Sequence, residues 1–418
     1  MSRISSRYYP LLVAGVTFVL LVAAAGVRSV PTMYVRPFEN EFGWSDGVIS
    51  NALALQIALY GLTGPFAAAA MERYGVRKTA VVAIALLAAA MLALTRIDSA
   101  WQLLLWAAAA GIGVGCLALA MGATIANRWF VTQRGLVIGV FSAGNATGQL
   151  VFLPMFGVLI DHGGWRNSAI VLAAVALALI PFAWFLLRER PVDVGIPPWG
   201  GDVIEPAPTH KRNPLREAFS VLGSASRTRT FWLLAGSFFI CGASTNGLIG
   251  THLVPACGDH GIPETHAAGL LAAMGLFDLL GTTASGWLSD RFDPRWLLFW
   301  YYGLRGLSLI FLPYAFGIAA IGLPAFAVFY GLDWIATVPP TLRLTTAAFG
   351  RERAPVVFGW IAASHQLGAG AVALGAGWAR TLTGTYDQAF ITSGLLCLIA
   401  STIVLAIARR PRVEPAFA

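Results

Sequence analysis

Hydropathy along the chain alternates between long apolar runs and short polar stretches. A bilayer core about 30 Å thick needs roughly 20 apolar residues per helix. Twelve runs approach or exceed that length: 10–34, 47–71, 79–97, 101–127, 135–160, 167–188, 231–256, 265–289, 296–316, 320–347, 355–380 and 388–409. The first is too long, and too poorly followed by small residues, for a removable signal peptide, so it is expected to stay as a helix. Between the sixth and seventh runs lies the one long polar stretch, 189–230, with six prolines, both signs of charge and no sustained periodicity. The pattern predicts an all-α integral membrane protein of twelve transmembrane helices, divided into a six-helix bundle over 1–188, a cytoplasmic linker over 189–230 and a second six-helix bundle over 231–418. Pro339 and Pro340 inside the tenth run predict a break or hinge there.

Composition strengthens this picture. Hydrophobic residues make up 57% of the chain and charged residues 11%, against about a quarter charged in soluble domains. A soluble enzyme lacks support on that ground. The net charge of +8 points to nucleic acid only if the basic residues cluster for it, and they do not. With the N-terminus inside, 21 of the 28 Lys and Arg residues fall on cytoplasmic segments, while only Arg36, Arg96, Arg166 and Arg380 fall outside. Such asymmetry is a topology signal. It predicts a multi-pass protein of the inner membrane with both termini cytoplasmic, no nucleic-acid partner and the bilayer as its surroundings. The four cysteines form no disulfide framework.

The two halves repeat each other. Glu72-Arg73-Tyr74-Gly75-Val76-Arg77-Lys78 follows the second run, and Gly286 through Asp290-Arg291 to Arg295 follows the eighth. Glu72 and Asp290 stand 218 positions apart, and Gly139, Asn145 and Gly148 align with Gly359, His365 and Gly368 at an offset of 220. Parallel repeats of this kind are expected in a transporter with its site at the repeat interface.

The acid-Arg-x-Gly-x-basic loop and its C-terminal echo resemble the signature loops of the major facilitator superfamily. Ala68 replaces a usual Gly and Glu72 a usual Asp, while Gly286, Asp290 and Arg291 keep the pattern. Trp129-Phe130 through Arg134-Gly135 to Gly139 and Gly144 resembles the entry to helix 5 in the monocarboxylate porter and oxalate–formate antiporter-like branch. Gly26-Val27-Arg28 through Pro37-Phe38 to Trp44 resembles that branch's first helix and its exit. The branch departs in two places: Ala25 replaces an acid, and Thr282, one turn after Asp278, stands where the porters carry an Arg that meets the substrate carboxylate. The resemblance implies alternating access between two bundles. It also implies a cytoplasmic gate at Glu72, Arg73, Asp290 and Arg291, with Arg73 or Arg291 bridged to acids at neighbouring helix ends.

Charges inside the runs carry the candidate chemistry, since each costs at least about 2.5 kcal/mol near the middle of a membrane helix. Asp278, Arg305 and Asp333 are expected at similar depth on the eighth, ninth and tenth helices. Two acids then face one cation. Either Arg305 is a permanent partner of one of them, or a spare acid takes a proton with the substrate. His365, paired by the repeat with Asn145, is expected on a cavity-facing fifth helix of its half. Arg28 is paired by the repeat with Asn246 and could bind a carboxylate through its planar fork; its alternative is to snorkel to the outer headgroups. Arg343 is read as nearer the cytoplasmic end, in a helix-end contact or snorkelling. Gly111-x-Gly113-x-Gly115 has no preceding strand, so it predicts close helix packing rather than a phosphate loop.

These readings converge on a secondary active transporter, not an enzyme, with no cofactor and no metal site. Its substrate is expected to be a small organic anion, a monocarboxylate, moved with protons by symport in a monomer. Substrate contacts are assigned to Arg28, Asn145, His365 and Asn246, and the buried charge network to Asp278, Arg305 and Asp333. Anion exchange of the oxalate–formate type, or export of an amphipathic compound, are the competing readings.

Overall fold

The computed structural model describes residues 8–29, 33–44, 46–204 and 213–408. Among these every long element is a helix. The spans are α1 Tyr9–Ser29, α2 Asp46–Tyr74, α3 Val76–Leu94 and α4, which runs Ala100–Cys116 and resumes as Leu119–Trp129. The continuous helix Arg134–Leu186 holds α5 and α6, turned at Gly164 with φ 75°. In the second half come α7 Arg229–Asp259, α8 Glu264–Ser289 and α9 Pro294–Gly317. Next is α10, which begins as Ala319–Asp333. It is followed by the helix Val338–Thr383, turned at Gly350 with φ 77°, which completes α10 and contains α11. Finally α12 is Asp387–Val404. Both turning glycines occupy the left-handed region that a Cβ disfavours. Nine apolar helical stretches among the described residues are long enough to cross a membrane, one of them running through both α10 and α11. Trp101, Leu105, Phe185, Leu280, Trp300 and Phe329 are exposed. In water such a coat would promote aggregation, whereas a bilayer would accommodate it.

Contacts group the chain into two compact units: Met1–Arg134 with Gly144–Ser220, and Gly135–Ala143 with Val221–Ala418. In the first, the glycines of α4 let backbones meet. A Cβ on Gly111 would lie 2.6 Å from the Gln56 carbonyl oxygen, and one on Gly115 would lie 2.8 Å from that of Tyr60. That is the packing role expected of the Gly-x-Gly-x-Gly run. In the second unit, the stretch Gly135–Ala143 of α5 lies against α8, where a Cβ on Gly139 would sit 2.7 Å from the Thr282 carbonyl oxygen.

The described residues of the polar stretch after α6 are tied down by contacts that its composition does not predict. The Glu189 carboxylate accepts hydrogen bonds from Val76 N and, at 3.2 Å, Arg77 N. These are the first, otherwise unpaired donors of α3. Arg190 pairs with Glu72 at 3.2 Å. Trp199 N donates to the Trp129 carbonyl at 2.8 Å and its own carbonyl accepts from Val131 N at 2.9 Å. Farther on, Pro214–Ala225 form a helix, and Phe219 packs edge-on against Phe66. Tertiary partners supply the order that periodicity lacks.

Gly75, at φ 95°, makes the strap possible, since a Cβ there would collide with the Glu189 carboxylate. Gly75→Ala is expected to cost about 1–3 kcal/mol and to lower the thermal midpoint of the purified protein. An unchanged midpoint would mean that the Glu189 cap on α3 contributes nothing.

Candidate functional site

The structure resolves the three-charge layer unevenly. The Arg305 side chain is 0% exposed, and its Nε donates to Asp333 Oδ2 at 2.7 Å. Its Nη2 donates to the Asp333 carbonyl and, at 3.1 Å, to the Trp334 carbonyl. Nη1 meets Cys241 Sγ at 2.9 Å, and the rings of Tyr302 and Tyr330 flank the guanidinium at 5.7 and 6.0 Å. Of the two acids, Arg305 is paired with Asp333. Asp278 is equally buried, but among the described residues it makes no ion pair. Its Oδ1 accepts from Thr282 Oγ1 at 2.6 Å and from Ile335 N at 3.0 Å.

The layer is organised around an interruption in α10. Pro339 and Pro340 have no N–H, so the carbonyls of Ile335 and Ala336 lose their ordinary helical donors. The helix stops at Asp333 and resumes at Val338. Val338 N takes the Ile335 carbonyl at 2.9 Å and Ser285 Oγ donates to that of Ala336 at 2.5 Å. Arg305 covers the carbonyls of Asp333 and Trp334, at the negative end of the half-helix Ala319–Asp333. The break expected from the proline pair is present, and the buried charges lie at it.

α7 is irregular at a neighbouring point. Residues Ala243–Ile249 form a π-helical turn, a distortion common at functional sites. Tyr330 OH donates to the Ser244 carbonyl at 2.7 Å, and Cys241 Sγ approaches Thr337 Oγ1 at 3.2 Å. Half-buried Asn246 lies in this turn. Glycines bring α7 and α11 together: Cβ atoms on Gly242, Gly247 and Gly368 would collide with the backbones of His365, Ala369 and Phe239. The His365 ring lies 4.9 Å from that of Phe238. His365 and Asn246 thus occupy one helix–helix contact of the second unit. The Asn145 side chain lies outside the described residues.

In the first unit, half-buried Arg28 lies in the last turn of α1 with its guanidinium 5.3 Å from the centroid of the Tyr60 ring on α2. It makes no ion pair among the described residues. Beyond α1, Glu41 on the short helix Val35–Phe42 accepts from Trp165 Nε1 at 2.8 Å and pairs with Arg166 at 2.6 Å. The Trp165 hydrogen bond, and then Arg166, hold its carboxyl below the usual carboxylate range.

At the signature loops the acids make the bridges, not the arginines that were expected to. Glu72 accepts from Arg128 at 2.6 Å and from Arg190. Asp290 pairs with Arg343 at 2.9 Å and accepts from Gly135 N and Leu136 N, at 2.9 and 3.1 Å, at the start of α5. Arg343 also donates to the Ser289 carbonyl, the helix-end contact foreseen for it. Arg73 lies over Tyr74 at 5.3 Å and Arg291 over Trp287 at 3.8 Å, with no acid partner among the described residues. Each has a flanking ring as the nearer surface.

Several participants escaped sequence reasoning. Cys241 and Ser285 read as ordinary apolar-helix residues, yet Ser285 was discoverable: two prolines free two carbonyls, and buried carbonyls need donors. Glu189 carried no such signal. His252 on α7 is buried, with Nε2 2.8 Å from the Ala373 carbonyl oxygen and Nδ1 3.3 Å from Tyr386 OH.

The family model of the Major Facilitator Superfamily matches residues 16–372 and 251–418. The uncharacterized MFS-type transporter YcxA of Bacillus subtilis (strain 168) is 25% identical over 405 residues, covering 93% of this chain and 90% of the relative. Monocarboxylate transporter 12-B of Danio rerio is 27% identical over 310 residues, which is 67% of this chain and 62% of that one. The chain thus spans less than two thirds of the length of that second relative. The solved structure of the proton:xylose symporter XylE bound to 6-bromo-6-deoxy-D-glucose matches with a TM-score of 0.70 at 15% identity, over 97% of this chain and 98% of that one. The chain belongs to the Major Facilitator Superfamily. It has that all-α fold and is a multi-pass membrane transporter, not an enzyme.

Proposed function

We propose that this member of the Major Facilitator Superfamily carries a small organic anion, a monocarboxylate, across the inner membrane together with a proton. It works as a monomer by alternating access, with both termini cytoplasmic. The observation that carries this reading is the unequal partnering of the buried charges. Arg305 is committed to Asp333 and to two carbonyls of α10, so it is a structural cation. Among the described residues Asp278 meets a hydroxyl and one backbone N–H and makes no ion pair, which supports it as the acid that takes up and releases a proton. Arg28, which has no acid partner among the described residues, is the anchor for the substrate carboxylate. Asn246, His365 and Asn145 supply further polar contacts. The similarity to Monocarboxylate transporter 12-B supports the substrate class. Glu72 and Asp290, with Arg128, Arg190 and Arg343, form the cytoplasmic gate, and Arg73 and Arg291 flank it.

The test is uptake into proteoliposomes from a panel of small carboxylates, with and without an inward proton gradient. Uptake of one or more monocarboxylates should rise with the gradient. Uptake that survives collapse of the gradient unchanged would favour anion exchange instead. Within the same assay, Arg28→Lys keeps the charge but loses the planar fork. Apparent affinity should fall by about tenfold or more, equivalent to roughly 1.5–3 kcal/mol for a hydrogen bond to a charged group. A snorkelling Arg28 would tolerate Lys with little change.

A further inference from the structure

The interruption in α10 is held by two charged groups of opposite sign, and only one of them can change its charge. Arg305, on α9, covers the carbonyls of Asp333 and Trp334, the negative end of the outer half-helix. Asp278, on α8, accepts from Ile335 N, on the side that leads into the inner half-helix beginning at Val338. A guanidinium stays charged at any working pH, so the first clamp is permanent. The second depends on a carboxylate.

We propose that the proton carried by Asp278 acts by loosening the interruption in α10, and that Thr282 is the positioning residue that sets when it does so. This rests on the reading of Asp278 as the proton-carrying acid. The geometry supplies the coupling. Thr282 Oγ1 and Ile335 N both donate to the same oxygen, Oδ1. With the carboxylate ionised, both bonds are charge-assisted. A proton added at Oδ2 turns Oδ1 into the carbonyl oxygen of a neutral acid, and both bonds drop to the weaker neutral class. The Ile335 N–H then loses its charged anchor while Arg305 keeps its hold on the other side. The inner half of α10 is thereby released relative to a fixed outer half.

The surroundings leave Asp278 as the switching group. The charged groups nearest to it are Asp333 and Arg305, which are already paired with each other. Tyr301 on α9 lies by Ser285, and Cys241 on α7 is engaged by Arg305 and Thr337. The stretch Gly135–Ala143 that packs on α8 at Thr282 and Gly286 contains no titratable side chain. Thr282 therefore occupies two contacts: its hydroxyl holds the acid, and its carbonyl oxygen abuts Gly139. A cation at this position would keep the acid ionised. A hydroxyl orients the acid and still permits it to be protonated.

Backbone hydrogen exchange on the full chain in lipid nanodiscs tests this, read on peptides covering 334–338 with α3 peptides as an internal reference. Variants are compared at equal pH, which removes the intrinsic pH dependence of exchange. At high pH, Asp278→Asn should exchange about tenfold faster than wild type in this segment, the effect of losing one charge-assisted bond, with α3 unchanged. The wild type should approach the Asp278→Asn rate as pH falls. Thr282→Val removes a donor to the ionised acid, so its loss of protection should begin at higher pH, and Thr282→Ser should restore the wild-type profile. Equal protection of 334–338 in wild type and Asp278→Asn across the pH range would overturn the proposal, as would a Thr282→Val profile identical to wild type. Uphill uptake by Asp278→Asn is scored separately: if it persists, the proton-carrier reading fails, whereas flat exchange with uptake abolished removes only the α10 coupling.

Discussion

Arg305→Ala is expected to remove most of the folded, membrane-inserted protein. The substitution strands the Asp333 carboxylate in a buried layer, and the carbonyls of Asp333 and Trp334 lose their donor at the α10 interruption. Asp333 Oδ1 already lacks a hydrogen-bond partner among the described residues, so no second donor stands ready. Breaking a buried pair by deleting one partner costs about 3–5 kcal/mol, a large share of the stability of an ordinary domain. Monodisperse yield in mild detergent is the measurement. The double variant Arg305→Ala with Asp333→Ala should recover part of the yield, because no uncompensated charge remains. Recovery should stay incomplete, because the two carbonyls still lack the guanidinium. Equal losses in single and double variants would mean that the pair contributes nothing to the fold.

Asp278→Asn should show the second large effect, on coupling rather than on folding. Asparagine keeps the side-chain oxygen that accepts from Thr282 and Ile335, so the protein should still fold, with both bonds in the weaker neutral class. Substrate should still exchange down its gradient, while accumulation driven by a proton gradient should vanish. Asp333→Asn should differ: it weakens the Arg305 pair and lowers yield, and protein that does fold should still accumulate substrate. If both variants accumulate substrate uphill, neither acid carries the proton, and anion exchange becomes the better account.

The spans were legible because each is a local property. A run of about 20 apolar residues must satisfy its backbone internally when lipid surrounds it, and a helix is the way a single segment does so. The break in α10 was legible for a similarly local reason, two adjacent residues without N–H groups. The order after α6 was not. Glu189, Arg190 and Trp199 carry no periodic signal, and they are held by the start of α3, by Glu72 and by the end of α4. The signature loops were found by their spacing, yet spacing says nothing about which member of an acid–Arg pair turns toward the protein. Glu72 and Asp290 do so, reaching Arg128 and Arg343, while Arg73 and Arg291 rest on neighbouring rings.

What the sequence by itself determined about this protein was its all-α membrane character, where its apolar helices run, and the short roster of charges that a bilayer should not contain. Each follows from composition and spacing over a few dozen residues. Only the tertiary structure decided how those charges are spent. Arg305 could have taken either acid, and it takes Asp333, 28 positions away, because the interruption between them exposes two carbonyls that the same guanidinium can cover. Asp278 is left to a hydroxyl one turn along its own helix and to a backbone N–H 57 positions away. That contact exists only because α8 packs beside the break in α10. Partner choice among buried charges depends on side-chain direction and on where helices are interrupted. Those are properties of packed helices, not of any single run of residues.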